Sequence, residues 1–328
     1  MYKYNKKNKK NNNFNIIWYN KKKNSFLYFC IKFIIIIFYI IIIFHKKWSG
    51  TKDKICQKDP LHNNIGNSKF QYMQEKALNN LRNKYKYFLQ NLPIYNHTHQ
   101  YSNKIFWCWL QGEDNAPKLA KACLKSIKRN LRKKEIIVIT ENNMNQYVNI
   151  PLYIIQKYKN KYISSTHFSD ILRLELLVKY GGTWIDSSVL ITRYDKLFFN
   201  KDLFIFKATE KWAAGSNWFI SAEKGNPILR TTLILLYKYW KENNKLYNYF
   251  IFHFFFLMSC EKYNNDYKNI PKVLNIPPHI LQSELFNPFV IGKYNKILNC
   301  AKIHKLTIKK NTNIEKGLIY HHIIEEYI

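Results

Sequence analysis

Small and acidic residues are scarce in this chain. Nine glycines and nine prolines are spread over 328 residues, and 21 Asp and Glu stand against 53 Lys and Arg, a formal net charge of +32. Such an excess first suggests nucleic acid or an anionic membrane surface as a partner. The lysines are scattered instead of forming one stripe, however, and no zinc-finger, RNP or homeodomain spacing occurs. Heavy use of Lys, Asn, Ile, Tyr and Phe beside sparse Gly, Pro and Ala is also what AT-rich coding imposes, so the charge is a weak guide and no specific nucleic acid is expected. A phosphate-binding G-x-x-x-x-G-K-[ST] loop is missing, as is any legible Ser-His-Asp or Cys-His nucleophile pattern. The six cysteines, Cys30, Cys56, Cys108, Cys123, Cys260 and Cys300, fall at no metal-ligand spacing, and spacing alone pairs none of them.

The N-terminus is organised by hydropathy. Residues 1–25 are rich in Lys and Asn and read as a basic disordered arm. Residues 26–44, FLYFCIKFIIIIFYIIIIF, are apolar all round and long enough to span a bilayer core of about 30 Å as a helix. Lys32 can snorkel to an interface, and no small-x-small cleavage site follows, so an uncleaved single-pass anchor is expected. Positive charge is denser before the segment than after it, which favours the arm in the cytoplasm and the rest of the chain on the far side, but Lys46, Lys47, Lys52 and Lys54 weaken the asymmetry and leave the topology open. Residues 45–102 read as a stem with one helix near 69–91, stopped by Pro93. His97 and His99, in the polar end of that stem, read as solvated.

The main domain, 103–328, opens with a strand over 104–110, a helix over 117–131 and a strand over 135–140. This β-α-β unit predicts a parallel α/β sheet with helices on both faces. Trp107 and Trp109 share a strand face, so one belongs to the core even if its neighbour serves a ligand. Ligands in such sheets sit at the carboxyl ends of strands, where Gln111, Gly112 and Asp186 are expected to gather. Further helices are expected from about Pro227 to Glu242 and from Tyr249 to Tyr263.

The run from His167 to Thr192, HFSDILRLELLVKYGGTWIDSSVLIT, carries the most chemistry. Apolar residues at helical spacing follow Ser169 or Asp170, either of which can cap the first turn. Gly181 and Gly182 end the helix, and Thr183 to Ile191 read as a buried strand. A carboxylate there, Asp186, is expensive unless a cation or hydrogen-bond donors meet it. Asp170 and Arg173 lie on one helix face. Taken singly, Asp186 reads equally well as a satisfied core carboxylate, and Asp170 with Arg173 as an ordinary helix pair.

The Asp-x-x-Arg helix, the Gly-Gly turn and the Trp-Ile-Asp strand together resemble the capsular polysaccharide synthesis proteins, relatives of the D-x-D glycosyltransferases of the family-32 type. The resemblance extends through KIFWCWLQGEDNAPKLAKACLKSIKRNL (104–131), EIIVIT (135–140), AAGSNWFISAEKGNPIL (213–229), PPHILQ (277–282) and IHKLTI (303–308). It implies a GT-A-like nucleotide-sugar transferase domain, a Rossmann-like mixed sheet flanked by helices, behind the N-terminal transmembrane helix. It also implies transfer of a sugar from a nucleotide diphosphate donor to a glycan or lipid-linked acceptor, with retention.

By the same resemblance Trp109 matches a base-stacking position, with Gln111, Gly112 and Gly182 beside the donor. Asp170 and Arg173 match sugar-binding positions, and Asp186 the first Asp of D-x-D, where Mn²⁺ or Mg²⁺ bridges the diphosphate. The third position of that motif is Ser188, so a charged ligand is missing; His321 or the adjoining His322 is the candidate replacement. His279 and His304 match pocket positions. The expected location is a membrane, that of the Golgi or secretory pathway in a eukaryote and the inner membrane in a bacterium. Two other readings compete: a catalytically weakened protein of the same fold that binds without turnover, motivated by Ser188, and a basic membrane-tethered binder of nucleic acid or anionic lipid, motivated by the charge.

Overall fold

Alternating apolar residues in β1 (Lys104–Cys108) supply both halves of the core. Ile105 and Trp107 face one side, where they meet Ala120, Leu124 and Ile127 of helix α2 (Lys118–Asn130), while Phe106 faces the other. The computed structural model describes Cys56, residues 68–308 and residues 316–328. The expected arm (1–25) and transmembrane segment (26–44) lie outside the described residues; among the described ones, no helix is long and apolar enough to cross a membrane.

β1 pairs in parallel with β2 (Glu135–Ile139) and with β3 (Gly182–Ile185). Beyond β3 the sheet turns antiparallel through β6 (Phe219–Ala222) to β5 (Leu203–Ile205), in the order β2-β1-β3-β6-β5. The domain is thus a mixed α/β sheet flanked by helices, as the resemblance implies; the parallel pairing expected from the β-α-β unit holds for β2, β1 and β3 and is replaced by antiparallel pairing beyond β3. A second sheet of two strands was not legible in the sequence. Thr183 to Ile191 is not one strand: it breaks after Ile185, and β4 (Val189–Ile191) pairs antiparallel with β7 (Ile303–Lys305), Val189 opposite Lys305.

Helix α3 (Ser165–Tyr180) starts earlier than expected, because Ser164, not Ser169 or Asp170, caps it by accepting from the His167 N–H. It ends where the sequence predicts. Gly181 has φ +66° and a Cβ there would lie 2.6 Å from Lys224 N; Gly182 has φ +95° and its Cβ would lie 2.4 Å from Lys104 O. Both positions need glycine to let the chain reverse tightly against its neighbours. Helices α4 (Pro227–Glu242) and α5 (Ile251–Lys262) cover the sheet close to the expected boundaries. The short α6 (Ile276–Glu284) follows them, and α7 (Ile319–Tyr327) closes the chain.

The helix assigned to the stem, α1 (Ser68–Asn91), is part of a compact unit that runs from Ile55 to Ile328. Leu78 and Leu81 are buried in the main core, at about 2 kcal/mol each. Tyr85 packs edge-on against Phe255 and its hydroxyl donates to Glu242, while Trp212 Nε1 donates to Gln71 at 2.6 Å. Cys56 and Cys300 form a disulfide across 244 residues.

His97 and His99 are not simply solvated. Glu223, fully buried, accepts from the Thr98 N–H at 3.0 Å, the His99 N–H and His97 Nδ1. His97 Nε2 lies 3.0 Å from Asp266, and His99 Nδ1 lies 3.2 Å from Asp202. The partners are more than a hundred residues away in sequence, which is why the two histidines read as solvated.

Candidate functional site

Where β1 and β3 end, their chains separate and leave a cavity of about 730 Å³. Cys108, Trp109, Leu110 and Gln111 line one side, Ser169, Asp170 and Arg173 of α3 another, and Trp184, Asp186, Ser187 and Ser188 the floor. Tyr249, Phe250, Phe252 and His253 come from α5 and the loop before it, His279 and Gln282 from α6, and Lys305 to Ile308 from the end of β7. Its size and its mixture of aromatic walls with a few converging polar groups are those of a small-molecule site.

Asp186 follows the last residue of β3, its N–H held by Trp218 O at 2.9 Å. Its Oδ1 accepts from Trp184 Nε1 at 2.8 Å and lies 3.4 Å from Arg173 Nη2; its Oδ2 accepts from Lys305 Nζ at 3.0 Å. Lys305 Nζ also donates to Ser188 Oγ at 2.6 Å. Burial works to raise the Asp186 carboxyl, but Lys305 and then Arg173 outweigh it and hold the group below the usual carboxylate range. Asp170 goes the other way. Its burial outweighs Arg173, 3.2 Å distant, and raises its pKa, while Asn217 Nδ2 donates to it at 2.9 Å.

Arg173 is the keystone of this cluster. Its Nε donates to Ser169 O, Nη1 to Asn217 O and toward Asp170, Nη2 to Ser169 Oγ and toward Asp186. A guanidinium carries five N–H groups, and these five contacts use all of them. Arg173, 3 % exposed and lying over the Trp184 ring at 5.1 Å, therefore aligns two carboxylates instead of reaching toward a ligand. Lys305 differs: two of its three N–H groups are used, and the third has no partner among the described residues.

His253 stays neutral. His253 Nδ1 pairs with Gly215 O at 3.1 Å, and burial pushes its pKa down to about 4. His279 lines the cavity as expected, but His304, on the opposite face of β7 from Lys305, is fully buried and does not. Trp107 is core, and Trp109, two residues on, borders the cavity with its indole N–H unpaired; the Trp218 N–H is unpaired too.

Asp170, Arg173, Asp186, Ser188, Trp109 and Gln111 are thus brought to one cavity. Gly112, Gly182 and His321 are not among the residues lining it. Gly112 closes a turn onto Trp109 O at 2.9 Å, Gly182 sits at the opposite end of β3 from Asp186, and His321 packs edge-on against Tyr320 in α7.

This donor set does not fit a divalent ion. Asp186 is the single carboxylate on the cavity floor, both its oxygens carry donors, and the Ser188 hydroxyl already holds an ammonium. A divalent charge about 4 Å from that ammonium meets a repulsion of about 8 kcal/mol at an effective dielectric of about 20. Seating Mn²⁺ or Mg²⁺ would require expelling Lys305 from both of its bonds, and His321 is not there to complete the shell. Sequence reasoning missed Lys305, although it stands in the IHKLTI block, because only the β4–β7 pairing carries it to Asp186.

The sequence model of the family described as "Capsular polysaccharide synthesis protein" matches residues 54–324. No curated protein matches the chain. Among solved structures, one titled "PaToxG Glycosyltransferase" is 19 % identical, with 70 % of this chain and 95 % of that chain covered and a TM-score of 0.37. At that level the likeness carries no weight here.

Proposed function

The chain belongs to the capsular polysaccharide synthesis protein family, and on that premise we propose that it transfers a glycosyl group from a nucleotide diphosphate sugar to a glycan or lipid-linked acceptor. The observation that carries this reading is Asp186. It stands ionised at the carboxyl end of β3, beside cations, on the floor of a cavity large enough for a donor. Trp109 has the place to stack on the base; Ser169, Gln111 and Gln282 offer hydroxyl and amide groups for the sugar.

Transfer proceeds with retention in this reading. Both carboxylates lining the cavity, Asp170 and Asp186, are tied to cations, so neither is a free base for the acceptor hydroxyl. The leaving phosphate can take that proton instead. The protein is anchored by residues 26–44 with its domain outside the cytosol; the Cys56–Cys300 disulfide supports an oxidising compartment.

The test is donor hydrolysis by the full-length protein over a panel of UDP-, GDP- and CMP-sugars, beside Asp186→Ala. Release from one donor, reduced by about 100-fold or more in the variant, is expected. A second reading, binding without turnover, is favoured by the commitment of both Asp186 oxygens to internal donors; saturable donor binding with no release from any donor would establish it.

A further inference from the structure

Resting on that reading of the cavity as a donor site, we infer that Lys305 takes the place of a divalent ion: its ammonium, seated on Asp186 and Ser188, is the charge that receives the donor's diphosphate. Three observations meet here. The ammonium sits 3.0 Å from the Asp186 carboxylate and 2.6 Å from the Ser188 hydroxyl, the position a cation held by this motif would take. It keeps one N–H free among the described residues, and Lys305 borders the cavity. It is also held there by backbone, since Val189 pairs with Lys305 and the Leu306 N–H donates to Ser188 O at 2.8 Å.

Charge arithmetic explains why serine suits the last position of the motif. Two carboxylates with a divalent ion sum to zero; one carboxylate with one ammonium also sums to zero. An aspartate at 188 beside Lys305 would leave the floor with an excess negative charge, repelling a diphosphate. With serine the hydroxyl orients the ammonium and adds no charge. Such a preorganised cation needs no reorganisation when charge develops.

In the step it serves, the bond between the sugar's anomeric carbon and the β-phosphate oxygen breaks, and its electron pair stays on that oxygen, where the Lys305 ammonium stabilises it. The acceptor hydroxyl forms the new bond to the anomeric carbon, and its proton passes to the released nucleoside diphosphate. No oxidant or further reactant is required. Arg173 is a positioning residue: it holds Asp186, which holds Lys305.

The experiment uses the full-length protein, Lys305→Met, Lys305→Arg and Asp186→Asn, with UDP, GDP and CDP as probes in calorimetry, in EDTA and in Mn²⁺. One nucleoside diphosphate should bind the native protein with the same affinity, within about twofold, in both conditions. Lys305→Met should weaken it about 10- to 100-fold with no rescue by Mn²⁺, and Lys305→Arg should recover part of the loss. A loss of tenfold or more in EDTA, about that size being reversed by Mn²⁺, would overturn the inference. Paramagnetic resonance of Mn²⁺ alone separates this from the transferase reading. If no nucleoside diphosphate binds, that reading falls; a saturable Mn²⁺ site lost in Asp186→Asn would still sink the role of Lys305, whereas Mn²⁺ bound by Lys305→Met and not by the native protein would uphold it. Circular dichroism of each variant shows whether it is folded.

Discussion

Two clusters of carboxylates and cations occupy this domain, one at the cavity and one under the segment before β1. Each has an almost wholly buried acid: Asp170 at 3 % exposure in the first, Glu223 at 0 % in the second. His99, Asp202 and Glu223 even bring three ligand atoms within 4.8 Å of one another, which on distance alone is a metal-like grouping. The difference lies in what is left over. Glu223 is saturated by two backbone N–H groups and His97, and these tie residues 97–99 to the start of α4 through the adjoining Lys224, whose carbonyl accepts from Thr98 Oγ1. At the cavity, an ammonium with one N–H free among the described residues borders open space. Charge density alone marks neither a site nor a clasp; unused hydrogen-bonding capacity beside room for a ligand does.

That contrast can be broken in order of expected effect. Arg173→Met removes the cation between buried Asp170 and half-buried Asp186 and should cost about 3–5 kcal/mol of stability, read by chemical denaturation, together with nucleotide binding. A loss of binding at native stability would mean instead that Arg173 contacts the ligand directly. Glu223→Gln should cost about 1–3 kcal/mol by unpairing part of the clasp, and leave nucleotide affinity unaltered. A change in affinity in that variant would show that the two clusters are coupled.

The smallest effect is a pH dependence of opposite sign in the two clusters. Burial lowers the His97 pKa, but the Glu223 and Asp266 carboxylates outweigh it and raise the group above its ordinary value. Its contribution is then full below the ordinary imidazole range and is lost as pH rises through the raised value. Asp186 is held low, so its contribution is present above the ordinary carboxylate range and is lost as pH falls through the depressed value. Melting curves of native protein and His97→Asn should converge toward alkaline pH and separate toward mildly acidic pH. Parallel curves would remove His97 from the account.

Much of this was legible locally. Helical spacing after His167, the Gly-Gly stop and the apolar run of β3 place Asp170, Arg173 and Asp186 correctly, because each depends on neighbours within a few residues. Pro227 and Asn226 likewise mark the start of α4. The break after Ile185 was not legible, since Val189 to Ile191 is as apolar and β-branched as the strand before it. Nothing in that composition says which sheet the residues join.

The sequence by itself determined the β-α-β unit, the main helices and the carboxylate at the end of β3, because periodicity, caps and glycine positions act over short stretches of chain. Only the tertiary structure decided what surrounds that carboxylate. Lys305 lies 119 residues from Asp186, Glu223 lies 126 from His97 and Cys300 lies 244 from Cys56. Such partners are chosen by strand pairing and core packing across the whole domain, and it is this pairing that sets an ammonium on the cavity floor.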